Sequence, residues 1–200
     1  MIGPCADLSA GALSNRVDAL DARFDDLVAP LRGNPVADRV FYTASALGDF
    51  GLLWLALGLV RILRGRPGDT RAGLRAIMAT GIESVVVNAG LKSLFRRRRP
   101  RPVEAHPLPF RQPLTSSFPS GHATAAFCAA TLLAENERRA PLYYALAFVV
   151  AFSRIHTKIH HASDVAGGIA IGVVLGRFAR RLAPLDNRSA SSGTVGTKGR

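Results

Sequence analysis

The sequence predicts an all-α fold, a multi-pass membrane helical bundle of about five spanning helices preceded by an amphipathic interfacial helix. Three observations carry this expectation. Five apolar stretches follow one another, at roughly 40–60, 76–95, 118–134, 140–156 and 165–183, and none keeps a polar face along its length. These stretches are rich in Ala and Gly, the small residues that let helices approach closely in a membrane. Ahead of them, apolar residues between Leu8 and Leu31 recur at helical spacing among Asp and Arg, the pattern of an amphipathic helix. A chain of 200 residues with 48% hydrophobic content is one domain with a real interior.

The leader (1–39) places Leu13, Val17, Leu20, Phe24, Leu27, Val28 and Leu31 among Asp7, Asp18, Asp21, Asp25 and Asp26. It lacks the basic start and apolar core of a cleavable signal peptide, and its apolar face suits either a membrane surface or a protein core. After Asn34-Pro35 the main domain (40–184) begins. Measured singly, its stretches are poor spans, because a span normally needs about 20 predominantly apolar residues. Asp49 interrupts the first, Glu83 lies in the second, and the uncharged cores of the last two, Ala140 to Ser153 and Val165 to Gly176, are 14 and 12 residues long. Their number decides: five consecutive helices apolar nearly all round leave too little polar surface for a soluble shell. The Ser-, Gly- and Thr-rich tail (185–200) reads as disordered. Cys5 and Cys128 sit in dissimilar contexts and imply neither a disulfide framework nor a metal site.

The charge balance is 26 Lys plus Arg against 14 Asp plus Glu, formally +12, an excess that points to an anionic partner. At this level nucleic acid, an anionic membrane surface and a phosphorylated substrate all remain open.

Three clusters stand where apolar stretches begin or end. Lys92-Ser-Leu-Phe-Arg-Arg-Arg-Arg99-Pro100 closes the second stretch and offers cations suited to phosphate oxygens, although a run of four arginines alone is more often a basic membrane flank. Pro119-Ser120-Gly121-His122 opens the third stretch. Its glycine permits close backbone approach to an anion, first-turn amides attract phosphate, and His122 stands beside them as an acid or base. An ordinary Ser N-cap with an incidental histidine is equally credible there. Ser153-Arg154-Ile-His156-Thr-Lys158-Ile-His160-His161-Ala-Ser163-Asp164 joins the last two stretches. If its end is helical, His160 and Asp164 are i and i+4 neighbours, and the carboxylate can hold the imidazole tautomer. His156, His160 and Asp164 also have a spacing that suits zinc, against which the surrounding Lys and Arg argue electrostatically. In an up-and-down bundle all these helix ends lie on one side, so Lys92, Arg99, Ser120, His122, Arg154, His160 and Asp164 can converge on one pocket.

The pattern resembles the type 2 phosphatidic acid phosphatase superfamily, whose signature is Lys-x6-Arg-Pro, then Pro-Ser-Gly-His, then Ser-Arg-x5-His-x3-Asp. Here these are Lys92 to Arg99-Pro100, Pro119 to His122, and Ser153-Arg154 to His160 to Asp164. The resemblance covers about residues 40–183. It implies a membrane lipid phosphatase in which His160 attacks phosphorus to form a phosphohistidine, Asp164 orients it and His122 protonates the leaving oxygen. Lys92, Arg99, Arg154, Ser120 and the amide of Gly121 would hold the phosphoryl oxygens. It implies no metal and no cofactor, a lipid phosphate partner in the bilayer, and no nucleic acid. His161 is a rival nucleophile three residues from Asp164, but the family register selects His160. Where the family often has an aromatic and a proline after that histidine, this chain has His161 and Ala162.

Two other classes are weighed against this. Vanadium-dependent haloperoxidases resemble the same motif but are soluble and much larger, and a non-catalytic binder of anionic lipid would explain the charge alone. The substrate can be phosphatidate-like, a polyprenyl phosphate or pyrophosphate, or a phosphosugar on a polyprenyl carrier; the loop from Arg101 to Thr115, with Glu104, His106, Phe110 and Arg111, is where a head group would be met. With five spans, 13 of the 26 basic residues lie on the non-catalytic side: Arg61, Arg64, Arg66, Arg71, Arg75, Arg138, Arg139, Arg177, Arg180, Arg181, Arg188, Lys198 and Arg200. Three on the catalytic side are explained by substrate, so the positive-inside rule favours a cytoplasmic C-terminus and an extracytoplasmic active site in the cell membrane.

Overall fold

The computed structural model describes residues 5–101 and 115–185, with side chains from residue 12 onward. Glu104, His106, Phe110, Arg111 and the tail beyond residue 185 lie outside the described residues. Among the described residues all regular structure is helical, as the hydropathy pattern requires.

Helix α1 (Cys5–Val28) leads into α2 (Pro35–Gly48). Asn34 caps α2, its side chain accepting from Val36 N at 3.0 Å and Ala37 N at 3.2 Å, while Pro35 fills the first position, where a missing N–H costs nothing. Helices α2 and α3 (Leu52–Arg64) form one apolar path of 30 residues, broken at a 3-10 elbow, Asp49–Gly51. Phe50 (φ 55°) and Gly51 (φ 72°) both take left-handed backbone there, and the bend turns Asp49 toward the interior. Helix α4 (Asp69–Val85) runs through a π-helical segment, Val86–Leu91, into the single turn α5 (Lys92–Leu94), 26 residues in all. Helices α6 (Gly121–Leu133), α7 (Ala140–His156) and α8 (Ala162–Leu182) complete five spanning units. Three of the five are long and apolar enough to cross a bilayer by themselves.

The short α6 is the hub. It packs on α8, α7 and α4, and Ala123, Ala126, Ala129, Ala130, Leu132 and Leu133 have no exposed surface at all. A helix enclosed by other helices needs no long lipid-facing exterior, which accounts for its length of 13 residues. Its contact with α8 depends on Gly168, Gly172 and Gly176. A Cβ at Gly172 would stand 2.4 Å from Thr124 O, and one at Gly168 2.7 Å from Ser120 O. This close approach brings the starts of the two helices together, and Ser120 N donates to Asp164 O at 3.1 Å.

The end of the bundle away from these motifs is tied by ion pairs. Asp69 receives Arg61 at 3.0 Å and Arg64 at 2.7 Å, Arg64 also meets Glu137, and Glu135 takes both Arg75 and Arg180. Four of the thirteen basic residues counted toward orientation are thus neutralised locally.

Helix α1 lies across the other end, against α7 and α8. Leu13, Leu20 and Leu27, seven residues apart, are 65%, 63% and 75% exposed, an outward apolar stripe matching an interfacial helix. Two of its acidic residues face inward: Asp25 pairs with Lys158 at 3.0 Å and with Arg32, and Asp21 is buried, while Asp18 and Asp26 are exposed.

Candidate active site

His160 lies in the turn between α7 and α8 rather than in a helix, so its pairing with Asp164 is not the i,i+4 contact of one continuous helix. The turn nevertheless sets its Nδ1 3.7 Å from Asp164 Oδ2, an ion-pair distance longer than a direct hydrogen bond. Between them stands Ser117, whose Oγ donates to Asp164 Oδ2 at 2.5 Å and lies 3.5 Å from His160 Nδ1. On the ring's other side Arg99 Nη1 is 3.3 Å from Nε2. A donor at Nε2 and a carboxylate beyond Nδ1 select the neutral tautomer with its proton on Nδ1 and its lone pair on Nε2.

His160 is 3% exposed. Burial pushes its imidazole down from 6.5 to about 3; Asp164 opposes this, and Arg154 and Arg99 reinforce it. The ring is therefore neutral throughout the physiological range. Between about 3 and 6.5 an unfolded chain binds a proton here that the folded chain refuses, so stability falls as pH drops through that window. The thermal midpoint of the wild-type protein in detergent is expected to fall more steeply on acidification below pH 6.5 than that of His160→Asn; parallel curves would contradict the assigned neutral state.

Asp164 is fully buried and fully engaged. Oδ2 accepts from Ser117 Oγ and from His161 N at 2.9 Å, and Oδ1 accepts from Arg97 Nη1 at 2.7 Å. His161 forms a capping box with Asp164 at the start of α8, a use that separates it from the role of nucleophile. His156 points elsewhere: its Nε2 is 2.7 Å from Asp38 Oδ1, and its ring packs on Phe41. The trio with zinc-like spacing is therefore not assembled, and among the described residues no group of three His, Cys, Asp or Glu side chains gathers at metal-binding distance.

A cavity of about 580 Å³ opens in front of His160, lined by Asp49, Glu83, Lys92, Gly121, His122 and Arg154, with Leu55, Val85 and Ala125 on its apolar side. Arg99 lines the adjoining groove, of about 510 Å³, and Lys92 and Thr115 border both. A Cβ on Gly121 would lie 3.5 Å from Lys92 Nζ, so the backbone at the start of α6 and the lysine face one another directly. Arg99 is anchored on carbonyls, donating to Thr115 O at 3.1 Å, Ile159 O at 3.0 Å and Ser116 O at 3.2 Å. Two residues in this region carry donors without protein partners. Arg154, 1% exposed, bonds Ser45 through Nη1 but leaves Nε and Nη2 unpaired. Ser120 occupies the N-cap position of α6, yet its hydroxyl caps nothing and has no partner. Buried donors of this kind are costly unless an acceptor visits them.

His122 Nε2 lies 3.0 Å from Asp49 Oδ1 and 3.3 Å from Ser45 O. Its neighbour Gly48 is held to a hydrogen for side chain by closeness, since a Cβ there would stand 2.7 Å from His122 Cδ2.

The seven side chains and one amide named from sequence thus meet at one end of the bundle. Four further residues belong to the site. Asp49 and Glu83 were legible as acids inside apolar stretches, where ionisable groups are functional by default. Glu83 is 3% exposed with both oxygens unbonded. Arg97 was hidden within a run of arginines, and nothing local singled out Ser117.

Together these features define a membrane helical bundle with a cationic, histidine-bearing cavity at one end. The chain belongs to the PAP2 superfamily, whose family model matches residues 72–188. Its fold is similar to that of the transmembrane PAP2-type phosphatidylglycerolphosphate phosphatase from Bacillus subtilis, with a TM-score of 0.66 at 23% identity over 88% of this chain and 90% of that one. It is also similar to LpxE from Aquifex aeolicus, with a TM-score of 0.65 at 26% identity over 81% of this chain and 95% of that one. No curated protein matches the chain in sequence.

Proposed function

We propose that the protein is a membrane lipid phosphatase that hydrolyses a lipid phosphomonoester or pyrophosphate through a phosphohistidine on His160. One observation carries this reading: His160 and His122 line the same cavity, beside buried Arg154 donors that have no protein partner. A tetrahedral phosphoryl group supplies the missing acceptors. In the first step the Nε2 lone pair attacks phosphorus, the N–P bond forms and the bond to the leaving oxygen breaks. His122 gives that oxygen its proton; Asp49 on Nε2 stabilises the imidazolium, which leaves Nδ1 as the donating nitrogen. Asp164, Ser117 and Arg97 hold the cationic phosphohistidine ring. In the second step His122 takes a proton from water, the water oxygen bonds phosphorus and the N–P bond breaks, releasing orthophosphate and neutral His160. Lys92, Arg99, Arg154, Ser120 and the Gly121 amide stabilise charge on the equatorial oxygens in both steps. Side-chain cations fill the role a metal has in other phosphatases, so activity is expected to survive chelation.

The apolar side of the cavity, from the Asp49–Gly51 elbow to Val85 and Ala125, suits the alkyl part of a lipid. One of the two similar structures, from Bacillus subtilis, is a transmembrane phosphatidylglycerolphosphate phosphatase. The test is phosphate release in detergent from phosphatidate, phosphatidylglycerol phosphate and polyprenyl mono- and diphosphates, with and without chelator. Release from at least one, unaffected by chelator, is expected. Release from none, or peroxidase activity on added vanadate, would remove the assignment.

We place the active site on the extracytoplasmic face, since the catalytic end carries the acidic α1 and its cations are committed to substrate. With Cys5 and Cys128 replaced by serine, a single cysteine introduced at the exposed Leu20 is expected to react with an impermeant thiol reagent in intact cells. Labelling only after lysis reverses the orientation.

A further inference from the structure

Helix α1 lies ahead of residues 72–188, the part that matches the family, yet it reaches the catalytic pair. We propose that Asp21 is a positioning residue for Asp164 and, through it, for His160; the inference rests on the phosphatase reading above.

Asp21 is 5% exposed, and its carboxylate makes three contacts, each with a residue next to or bonded to Asp164. Oδ1 accepts from Ser163 N at 2.8 Å, and Oδ2 accepts from Ser163 Oγ at 2.6 Å and from Arg97 Nη2 at 2.6 Å. Arg97 closes the ring, its Nη1 donating to Ser163 Oγ at 2.6 Å and to Asp164 Oδ1 at 2.7 Å. Ser163 and Asp164 form the first turn of α8, so a carboxylate 142 residues away in sequence caps the very turn that carries the orienting acid. Charge-assisted bonds of this geometry are the strong ones.

The consequence is directional. With Oδ1 of Asp164 fixed by Arg97, Oδ2 is the oxygen turned toward Ser117 and His160 Nδ1. Without Asp21, Arg97 keeps only the Ser163 hydroxyl beside Asp164 and the exposed Asp18, so its hold on Oδ1 loosens and the orientation of the Asp164 carboxylate toward the nucleophile's Nδ1–H rests on the Ser117 and His161 bonds alone. Asp18 provides an internal comparison. It also reaches Arg97 Nη2, at 3.3 Å, but is 66% exposed, where solvent screens the pair.

The experiment uses the full chain in detergent. Asp21→Asn is expected to lower kcat about tenfold with KM within about twofold, because orientation is lost and phosphate contacts are kept. Asp18→Asn is expected to leave both unchanged. A second readout is independent of turnover: in 15N-histidine spectra, His160 of the wild type should show the Nδ1–H tautomer, and Asp21→Asn a mixture. A wild-type kcat with an unchanged tautomer, or a loss expressed in KM alone, overturns the inference. Should Asp21→Asn not fold, Ser163→Ala removes only the hydroxyl link: a fall in kcat at constant KM supports the proposal, and a wild-type kcat overturns it. If the wild type releases no phosphate from any lipid, the phosphatase reading fails, and the tautomer spectra still decide the role of Asp21.

Discussion

His160→Ala is expected to abolish phosphate release, by about 10⁴-fold or more, the range for removing a covalent nucleophile whose partners act as a unit. The geometry specifies why the loss should be this large. Nε2 stands 3.3 Å from Arg99 Nη1 at the edge of the cavity, and its basicity is set by a buried, fully bonded Asp164. The neighbouring His161 does not rescue the variant, since it is engaged in the cap of α8. Rapid acid-free quenching of the wild type with a radiolabelled lipid phosphate should trap label on protein in an alkali-stable, acid-labile form, as expected of a phosphoramidate, and the variant should trap none. Turnover within about tenfold of wild type in His160→Ala would transfer the nucleophile's role elsewhere. Replacing His122 should give a different signature: with a good leaving group such as p-nitrophenol the first attack still proceeds and label is trapped on His160, while hydrolysis of the phosphohistidine, which also needs His122, is slowed for every substrate.

How much of this was legible beforehand follows from where each residue's information lies. The motif residues carry their chemistry in local spacing: Pro119 to His122 is one tight turn, and Arg154 to His160 spans a single helix exit. Bundle topology then places these ends together. Asp49 and Glu83 announced themselves only as blemishes in apolar runs, and the blemish is the signal, because an acid inside a span is retained only where it has a partner or a task. The third stretch, read as 118–134, forms a helix of only 13 residues for a physical reason: α6 is sheathed by other helices, and an enclosed helix is selected for smallness and not for span. The helical i,i+4 expectation for His160 and Asp164 gave the right pairing with the wrong local structure, since a turn and a helix start can produce the same proximity. Ser117, Arg97 and Asp21 could not be read from the sequence at all. Each is defined by a tertiary bond across 47 to 76 residues or more, and Arg97 is chemically indistinguishable from the arginines on either side of it.

Arg154→Met is expected to move activity and stability in opposite directions. The guanidinium is 1% exposed, and two of its nitrogens have no protein partner, so the phosphate-free protein holds a buried cation whose hydration is lost and incompletely replaced. Exchanging such a charge for an apolar side chain of similar length is often stabilising by about 1–4 kcal/mol, reduced here by about 1 kcal/mol because Ser45 loses the bond it receives from Nη1. The variant's thermal midpoint in detergent without phosphate should therefore equal or exceed that of the wild type. Its kcat should fall about 10²–10³-fold, the usual consequence of removing one preorganised donor from an oxyanion site. Adding orthophosphate or vanadate separates the two effects: ligand binding raises the wild-type midpoint by mass action, while Arg154→Met should respond much less, so the order of the two midpoints narrows or reverses as ligand is added. A variant destabilised without ligand, yet responding to phosphate as the wild type does, would make Arg154 a structural strut between α7 and α2. The expected pattern instead makes its unpaired nitrogens a cost that the folded protein carries until the phosphoryl group arrives.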